Sequence, residues 1–144
     1  MGSIPTRRIS SIGRRAEQAV EQYLLQRGYR ILDRNLRLGH LELDIVAQKG
    51  SLIAIVEVRH RGPTSFQSAF ESIDPPKQQR LFRAAEQLWE QRFATDPSIE
   101  RIRLDIAGVS FGPLRETVEY ISGELDSFRS DIEPRSHHVV KRFE

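Results

Sequence analysis

At 144 residues, with 38% hydrophobic and 29% charged residues, the chain has the size and composition of one domain with a buried core. It contains no cysteine, which excludes disulfides and thiolate metal sites and indicates the reducing cytoplasm, and no apolar stretch is long enough to span a membrane. The net charge is +2, but residues 1–40 carry eight arginines against three acidic residues. This excess of positive charge indicates either contact with a polyanion or a helix face that is simply solvated.

The N-terminal part of the chain is predicted to contain an arm, one helix and a short strand. Residues 1–9 form a flexible arm that lacks the apolar segment of a secretory signal. Ser10 or Ser11 can cap a helix that runs to about Arg27, because apolar residues recur there at helical spacing. Residues 29–32 then form a short extended segment.

Two apolar segments, residues 41–46 and 52–58, are predicted to pair as a β-hairpin with its turn at Gly50. Strict alternation in the first segment places Leu43 and Ile45 on one face of the sheet. The second segment is apolar on both faces, which is typical of a central strand.

Glu57 interrupts the second of these apolar strands. A carboxylate there is costly unless a cation or a network of hydrogen bonds compensates for its charge. The neighbouring strand offers Asp44, on the face opposite Leu43, and Arg59 projects from the same face as Glu57. These residues mark the hairpin as a candidate functional site.

The rest of the chain is predicted to contain a second helix and two strands. Asp74, followed by two prolines, starts a helix that runs to about Phe93. Strands follow at residues 101–109 and 116–121, and the polar residues 123–144 form a loose tail. The order α-β-β-β-α-β-β predicts an α/β fold around one sheet.

The carboxylates of Asp44 and Glu57 could hold a divalent metal together with a backbone carbonyl and waters. Hard oxygen ligands favour Mg²⁺ or Mn²⁺ over Zn²⁺, and such a metal could polarise a phosphodiester and activate a water. Arg59 could orient that water or neutralise developing charge. The alternatives are a solvated pair of cross-strand acids, or a buried ion pair of Glu57 with Arg59 or Lys77.

Two other acids are ambiguous. Glu17 borders the apolar stripe of the first helix and could supply a third acid, or it could pair on the surface with nearby arginines. Asp105 has the same ambiguity in its strand. His137 and His138 have no metal-binding spacing and are interpreted as surface residues. No phosphate-binding loop, dinucleotide glycine pattern or nucleophile elbow occurs in the chain.

Several motifs occur in a fixed order over residues 10–110. They are Gly13-x-x-Ala16-Glu17, Asn35, Glu42-Leu43-Asp44-Ile45-Val46-Ala47, Val56-Glu57-Val58-Arg59-x-Arg61, Lys77-Gln78 and Arg103-Leu104-Asp105-Ile106. This set resembles the YraN-like family of uncharacterised bacterial proteins. That family is similar to the restriction-endonuclease-like fold of PD-(D/E)xK nucleases, in the branch of archaeal Holliday-junction resolvases.

The resemblance implies a metal-dependent phosphodiesterase with a central mixed β-sheet flanked by helices. In it, Asp44 and Glu57 match the metal-binding acids, Glu17 matches the helix acid, and Arg59 takes the position of the motif lysine. Resolvases of this fold act as dimers, so the resemblance also implies a homodimer.

Two departures from the family pattern are visible. Leu41 occupies a position that is typically glycine, and Arg59 replaces the motif lysine. Arginine can stabilise negative charge but is a poor general base. The chain has 19 arginines and three lysines, so the replacement reflects either compositional drift or weakened hydrolysis. Lys77, at the start of the second helix, could take the lysine's role.

The leading interpretation is a cytoplasmic Mg²⁺- or Mn²⁺-dependent endonuclease, formed by residues 10–122, that acts on branched or damaged DNA and has no membrane partner. Four arginines are predicted to contact backbone phosphates without reading bases, namely Arg14, Arg15, Arg34 and Arg37. One alternative is a catalytically inactive protein of the same fold that binds nucleic acid. Another is a protein-interaction scaffold in which Glu57 and Arg59 form a structural ion pair.

Overall fold

Two amphipathic helices pack on opposite faces of one mixed β-sheet in the computed structural model, which describes residues 11–61, 73–123 and 141–143. The elements, in chain order, are α1 (Ser11–Gln26), β1 (Arg30–Leu38), β2 (Leu41–Lys49), β3 (Leu52–Arg61), α2 (Pro75–Leu88) with a π-helical continuation (Trp89–Phe93), β4 (Arg101–Phe111), β5 (Glu116–Ile121) and β6 (Lys141–Phe143). The predicted α/β class and the order α-β-β-β-α-β-β are confirmed. The short strand β6, which the sequence did not predict, follows them.

The sheet has six strands in the order β1-β2-β3-β4-β5-β6. Strands β3 and β4 are parallel, and every other neighbouring pair is antiparallel. A parallel pair needs a long crossover, and the chain between β3 and β4 contains α2. The tight turns after β1 and β2 each begin with a glycine at positive φ, 61° at Gly39 and 59° at Gly50.

Helix α1 covers one face of the sheet. Its buried residues recur at helical spacing and are Ala16, Val20, Tyr23 and Leu24. They pack against apolar residues from β2 to β5, among them Ile45, Val56, Val109 and Tyr120. The rings of Tyr23 and Tyr120 stack with their centroids 4.9 Å apart.

Helix α2 covers the opposite face. Its buried residues are Leu81, Ala84, Ala85 and Leu88, and they pack against Ile53, Ile55, Leu104 and Ile106. The predicted start of this helix is confirmed, because the side chain of Asp74 accepts a hydrogen bond from the backbone N–H of Lys77 at 2.9 Å. Within the described ranges, neither helix is long and apolar enough to cross a membrane.

Strand β1 is longer than the predicted segment 29–32, because it continues through a polar stretch to Leu38. It is an edge strand, and two of its polar side chains pair with residues of the helical segments that flank the sheet. Asp33 pairs with Arg92 at 2.5 Å, and Arg34 pairs with Glu21 at 2.7 Å. The register between β1 and β2 shifts between Ile31 and Asp33.

The predicted common face of Leu43 and Ile45 is wrong. Leu43 belongs to the core under α2, whereas Ile45 belongs to the core under α1. The alternation therefore changes at Asp44, where β2 also parts from β3. The predicted arm, the histidine pair and most of the predicted tail lie outside the described residues.

Candidate active site

Asp44 and Glu57 lie where β2 and β3 separate. The pairing of these strands ends at Ile45 and Val56, so each acid is the first residue beyond the ladder on its own strand. The backbone N–H of Val58 donates a hydrogen bond to Oδ2 of Asp44 at 2.8 Å. The carboxyl group of Asp44 thus bridges the gap between the two strands.

The environment of Asp44 disfavours its charged form. Burial is the largest cause, followed by the negative charge of Glu57, and together they raise the pKa of Asp44 from 3.8 to about 8. The hydrogen bond from Val58 opposes this shift, while the charge of Glu17 and a side-chain hydrogen bond to Glu57 add to it. These surroundings favour the neutral form of Asp44.

Glu57 is buried, with only 5% of its surface exposed, and its charge is compensated by cations. The Lys77 ammonium (Nζ) lies 2.6 Å from Glu57 Oε1, and Arg59 Nη1 lies 3.9 Å from the same oxygen. The Glu57–Lys77 ion pair is therefore close, whereas Arg59 stands at the outer limit of ion-pair distance. Both cations remain about one-third exposed, so a solute can reach them.

The cap of α2 places Lys77 at this site. Asp74 fixes the first turn by accepting the Lys77 N–H, and prolines occupy the first positions of the helix. A cation near a helix N-terminus is disfavoured by the helix dipole. The carboxylate of Glu57 offsets that cost, so the two groups stabilise each other's position.

Glu17 approaches the site from α1, and Asn35 links it to the sheet. With its amide oriented so that the nitrogen faces these carboxylates, Asn35 can donate to Oε1 of Glu17 at 3.2 Å and to Oε1 of Glu42 at 3.3 Å. The amide takes this orientation because the reverse one would place its oxygen against carboxylate oxygens. Asn35 and Glu42 belong to the ordered sequence motifs, but the sequence pattern alone indicates no role for either residue.

The acids do not all converge. Within the described ranges, no three His, Asp or Glu side chains are close enough to form a ready-made metal cluster. Glu57 is close enough for its charge and a side-chain hydrogen bond to raise the pKa of Asp44, and the charge of Glu17 adds to this shift. The site thus offers two adjoining carboxyl groups, with the predicted third acid beside them.

The four predicted phosphate-binding arginines lie on α1 and β1, and their side chains are exposed. Two of them have acidic partners: Arg15 pairs with Glu116 at 2.6 Å, and Arg34 pairs with Glu21 at 2.7 Å. The guanidinium of Arg15 also lies 4.6 Å from the centre of the Phe111 ring. Each paired arginine would have to exchange its carboxylate for a phosphate.

Asp105 lies apart from this site in a closed buried network. It accepts two hydrogen bonds from Arg103 at 2.7 Å, one from the Tyr120 hydroxyl at 2.5 Å and one from the Gly123 N–H at 2.7 Å. Burial is the largest cause that raises the pKa of Tyr120, and the charge of Asp105 adds to it. With its acceptor capacity filled, Asp105 holds β4 to the end of β5 and serves structure.

Comparisons with known proteins identify relatives of this chain. A UPF0102 protein of Sorangium cellulosum is 47% identical over 77% of this chain and 78% of its own length. Another, from Bacteroides thetaiotaomicron, is 36% identical over 85% of this chain and 88% of its own length. Among solved structures, that of Pyrococcus furiosus SfsA in complex with Ca²⁺ aligns with 76% of this chain. The alignment covers 61% of the SfsA chain, and the sequence identity is 15%. Its TM-score of 0.39 is too low to establish a common fold.

Residues 16–109 match the model of a family described as "Uncharacterised protein family UPF0102". This match includes Glu17, Asn35, Asp44, Glu57 and Lys77, and therefore spans the whole candidate site. The relatives align over most of their own length as well as over most of this chain. The chain belongs to the protein family UPF0102.

Proposed function

We propose that the protein is a metal-dependent nuclease that hydrolyses phosphodiester bonds in DNA, with Asp44 and Glu57 as its metal-binding acids. The proximity of their carboxyl groups at the end of the β2–β3 ladder, where the charge of Glu57 raises the pKa of Asp44, carries this proposal. Two adjoining carboxyl groups disfavour double ionisation when they are alone, but they are a favourable pair of ligands around a divalent cation. The absence of cysteine and the oxygen-only donors suit Mg²⁺ or Mn²⁺.

The fold class supports the same proposal. A mixed sheet between two helices, with acids where the central strands diverge, agrees with the restriction-endonuclease-like arrangement. A bound Mg²⁺ would polarise the scissile phosphate and lower the pKa of a water. Asp44 and Glu57 would hold it, and Glu17 would assist from α1 without being part of the central carboxyl pair.

We assign the role of the motif lysine to Lys77 rather than to Arg59. Lys77 is the closer cation to Glu57, at 2.6 Å against 3.9 Å. Its ammonium can donate to an attacking water and can change protonation state, whereas a guanidinium stays charged. Arg59 then stabilises negative charge on the phosphate.

The exposed arginines of α1 and β1 would position the substrate. Arg14 lies one helical turn before Glu17 on α1, and Arg37 lies two residues after Asn35 on β1, so both elements that border the site also carry cations. Phosphate contacts of this kind hold nucleic acid without reading its sequence. We therefore propose branched or damaged DNA as the substrate, a homodimer as the active form and the cytoplasm as the compartment.

The decisive experiment compares cleavage of a labelled four-way DNA junction with cleavage of the matching linear duplex, in Mg²⁺, Mn²⁺ or EDTA. We expect metal-dependent cleavage that Asp44→Asn abolishes. Asp96→Asn is the control, because the side chain of Asp96 accepts hydrogen bonds from Ser98 in the loop before β4, away from the site. Cleavage that survives EDTA or Asp44→Asn would contradict the proposal.

A second candidate is a catalytically inactive nucleic-acid-binding protein. The close Glu57–Lys77 ion pair favours it, because this pair already compensates the buried charge without a metal. Salt-dependent DNA binding without cleavage, and with no measurable affinity for Mn²⁺, would select this candidate. Under the scaffold hypothesis, the structural ion pair of Glu57 would be the one with Lys77 at 2.6 Å rather than the one with Arg59 at 3.9 Å, and the protein would bind neither DNA nor Mn²⁺.

A further inference from the structure

Asn35 has a backbone conformation that is unusual for a strand residue. Its φ is 51°, and no other described residue except glycine has a positive φ. Asparagine is one of the few side chains that adopt this left-handed region at low cost. Its neighbours Arg34 and Leu36 pair with Ile45 and Leu43 of β2, so Asn35 lies across from Asp44.

The side chain of Asn35 bridges two elements. Its amide nitrogen has two hydrogens, which can be donated separately to Glu17 on α1 and to Glu42 on β2. These donors offset part of the repulsion among the carboxylates of Glu17, Glu42 and the neighbouring acids, and they favour the orientation of Glu17 toward the sheet.

We propose that Asn35 is a positioning residue that holds the Glu17 carboxylate beside the Asp44–Glu57 pair. This role rests on the proposed function, because it presumes that Glu17 assists metal binding. Asn35 acts through Glu17 and contacts neither metal nor DNA. Two requirements explain why this residue is asparagine. It must adopt a left-handed backbone conformation, and its side chain must donate two hydrogen bonds. Glycine has no side-chain amide, and aspartate has no side-chain donors.

The hydrogen bonds can be tested without metal or substrate. In a ¹H–¹⁵N spectrum, we expect the side-chain NH₂ signals of Asn35 to shift in Glu17→Gln and in Glu42→Gln. They should stay in place in Asp96→Asn, which alters a distant acid. Unchanged Asn35 signals in Glu17→Gln would overturn the proposal.

Metal affinity tests the positioning role itself. We expect Asn35→Gly, which tolerates the backbone conformation, to weaken Mn²⁺ binding by about 10- to 100-fold, as the loss of a residue that orients a ligand does. Glu17→Gln should weaken it to the same extent, and the double variant should be no weaker than either single one. Melting curves establish that each variant is folded.

The outcomes separate this proposal from the proposed function. Mn²⁺ affinity that falls in Glu17→Gln but not in Asn35→Gly would overturn the role of Asn35 alone, as would additive losses in the double variant. Wild-type protein that binds no Mn²⁺ would overturn the proposed function, and this role with it, even where the amide contacts are confirmed. Asn35→Asp provides a further check, because it keeps the side-chain shape but removes the donors, and it should resemble Asn35→Gly.

Discussion

Two aspartates on strands of the sheet, the partly buried Asp44 and the fully buried Asp105, have opposite surroundings. Asp44 has one N–H donor, from Val58, and two acidic neighbours that disfavour its charge. Asp105 accepts hydrogen bonds from Arg103, Tyr120 and Gly123, all of which favour its charge. The surroundings of Asp44 therefore favour its neutral form, whereas those of Asp105 favour its charged form.

Metal-free protein is expected to lose stability as pH rises toward 8. The folded state holds a proton on Asp44 up to a pKa of about 8, whereas the unfolded chain releases it near 3.8. Between these values the folded state binds more protons, so its free energy of unfolding falls with pH, by at most about 1.4 kcal/mol per pH unit. Urea denaturation in EDTA at pH 5 to 8 measures this slope. Asp44→Asn should flatten it.

Asp105→Asn is the matched control for Asp44→Asn. It leaves the Arg103 guanidinium, which is mostly buried, without a counter-charge, and the removal of one partner of such a pair costs about 3–5 kcal/mol. We therefore expect Asp105→Asn to destabilise the protein strongly at neutral pH and Asp44→Asn to destabilise it little. Equal losses in the two variants, or a pH slope that Asp44→Asn leaves unchanged, would contradict the assigned protonation of Asp44.

Lys77→Met should reduce cleavage more than Arg59→Lys does. The methionine keeps the length of the side chain but removes the ammonium, and the loss of one preorganised charge at a reacting centre costs about 10²–10³-fold in rate. Arg59→Lys keeps a positive charge and is expected to stay within about tenfold of the wild type. Single-turnover rates on junction DNA measure both. The reverse ranking would assign the principal cation to Arg59.

At the scale of elements, hydrophobic periodicity is sufficient to predict the two helices and the central hairpin. The buried stripe of α1, the Asp74 cap of α2 and the turn at Gly50 all follow from local residue preferences. Strand β1 was predicted too short because its polar residues are satisfied by Arg92 and Glu21, which are distant in sequence. Such partners become visible only when the chain is folded.

The candidate site was predictable in part. The cost of a charge in an apolar strand indicated Glu57 as a candidate, and in the folded chain Glu57 lies beside Asp44. The roles of Asn35 and Glu42 were not predictable, because they depend on a left-handed residue inside a strand. The face change between Leu43 and Ile45 was not predictable from strict alternation either, because it occurs where β2 separates from β3.

Asp74→Ala is expected to weaken the start of α2. The loss of an N-cap costs about 1 kcal/mol, within a range of about 0.5–2 kcal/mol. The substitution should also lower the cleavage rate, because Asp74 fixes the turn that carries Lys77. Urea denaturation measures the first effect, and Asp74→Ser should restore most of it. A stability loss in Asp74→Ala with an unchanged rate would show that the cap does not position Lys77.

At the scale of the whole molecule, the separation of two strands brings opposite faces of the sheet together. Glu57 follows Ile53 and Ile55 on the α2 face and meets Lys77 there. Glu17 comes from α1 on the other face. An unbroken ladder would keep these groups apart. Where β2 and β3 separate, the charges of both Glu57 and Glu17 raise the pKa of Asp44. The exposed arginines of α1 and β1 lie on elements that border this gap.

DNA affinity is expected to depend steeply on salt, and the arginines should contribute unequally. Arg14→Gln and Arg37→Gln should each reduce the slope of log K against log salt by about 0.9, the value for one phosphate contact on duplex DNA. Arg15 and Arg34 have to give up Glu116 and Glu21 before they bind phosphate, so their removal should have a smaller effect.

The same reasoning predicts a gain of affinity. Glu21→Gln removes the carboxylate that competes for Arg34, so this variant should bind DNA more tightly than the wild type, most clearly at low salt. Fluorescence anisotropy of a labelled junction, titrated at salt concentrations of about 50 to 200 mM, measures both the slopes and the gain. Glu86→Gln, an exposed substitution on α2, controls for the change in net charge. If both variants gain equally, net charge explains the effect and Arg34 has no specific role. If affinity does not change with salt, α1 and β1 do not contact phosphate.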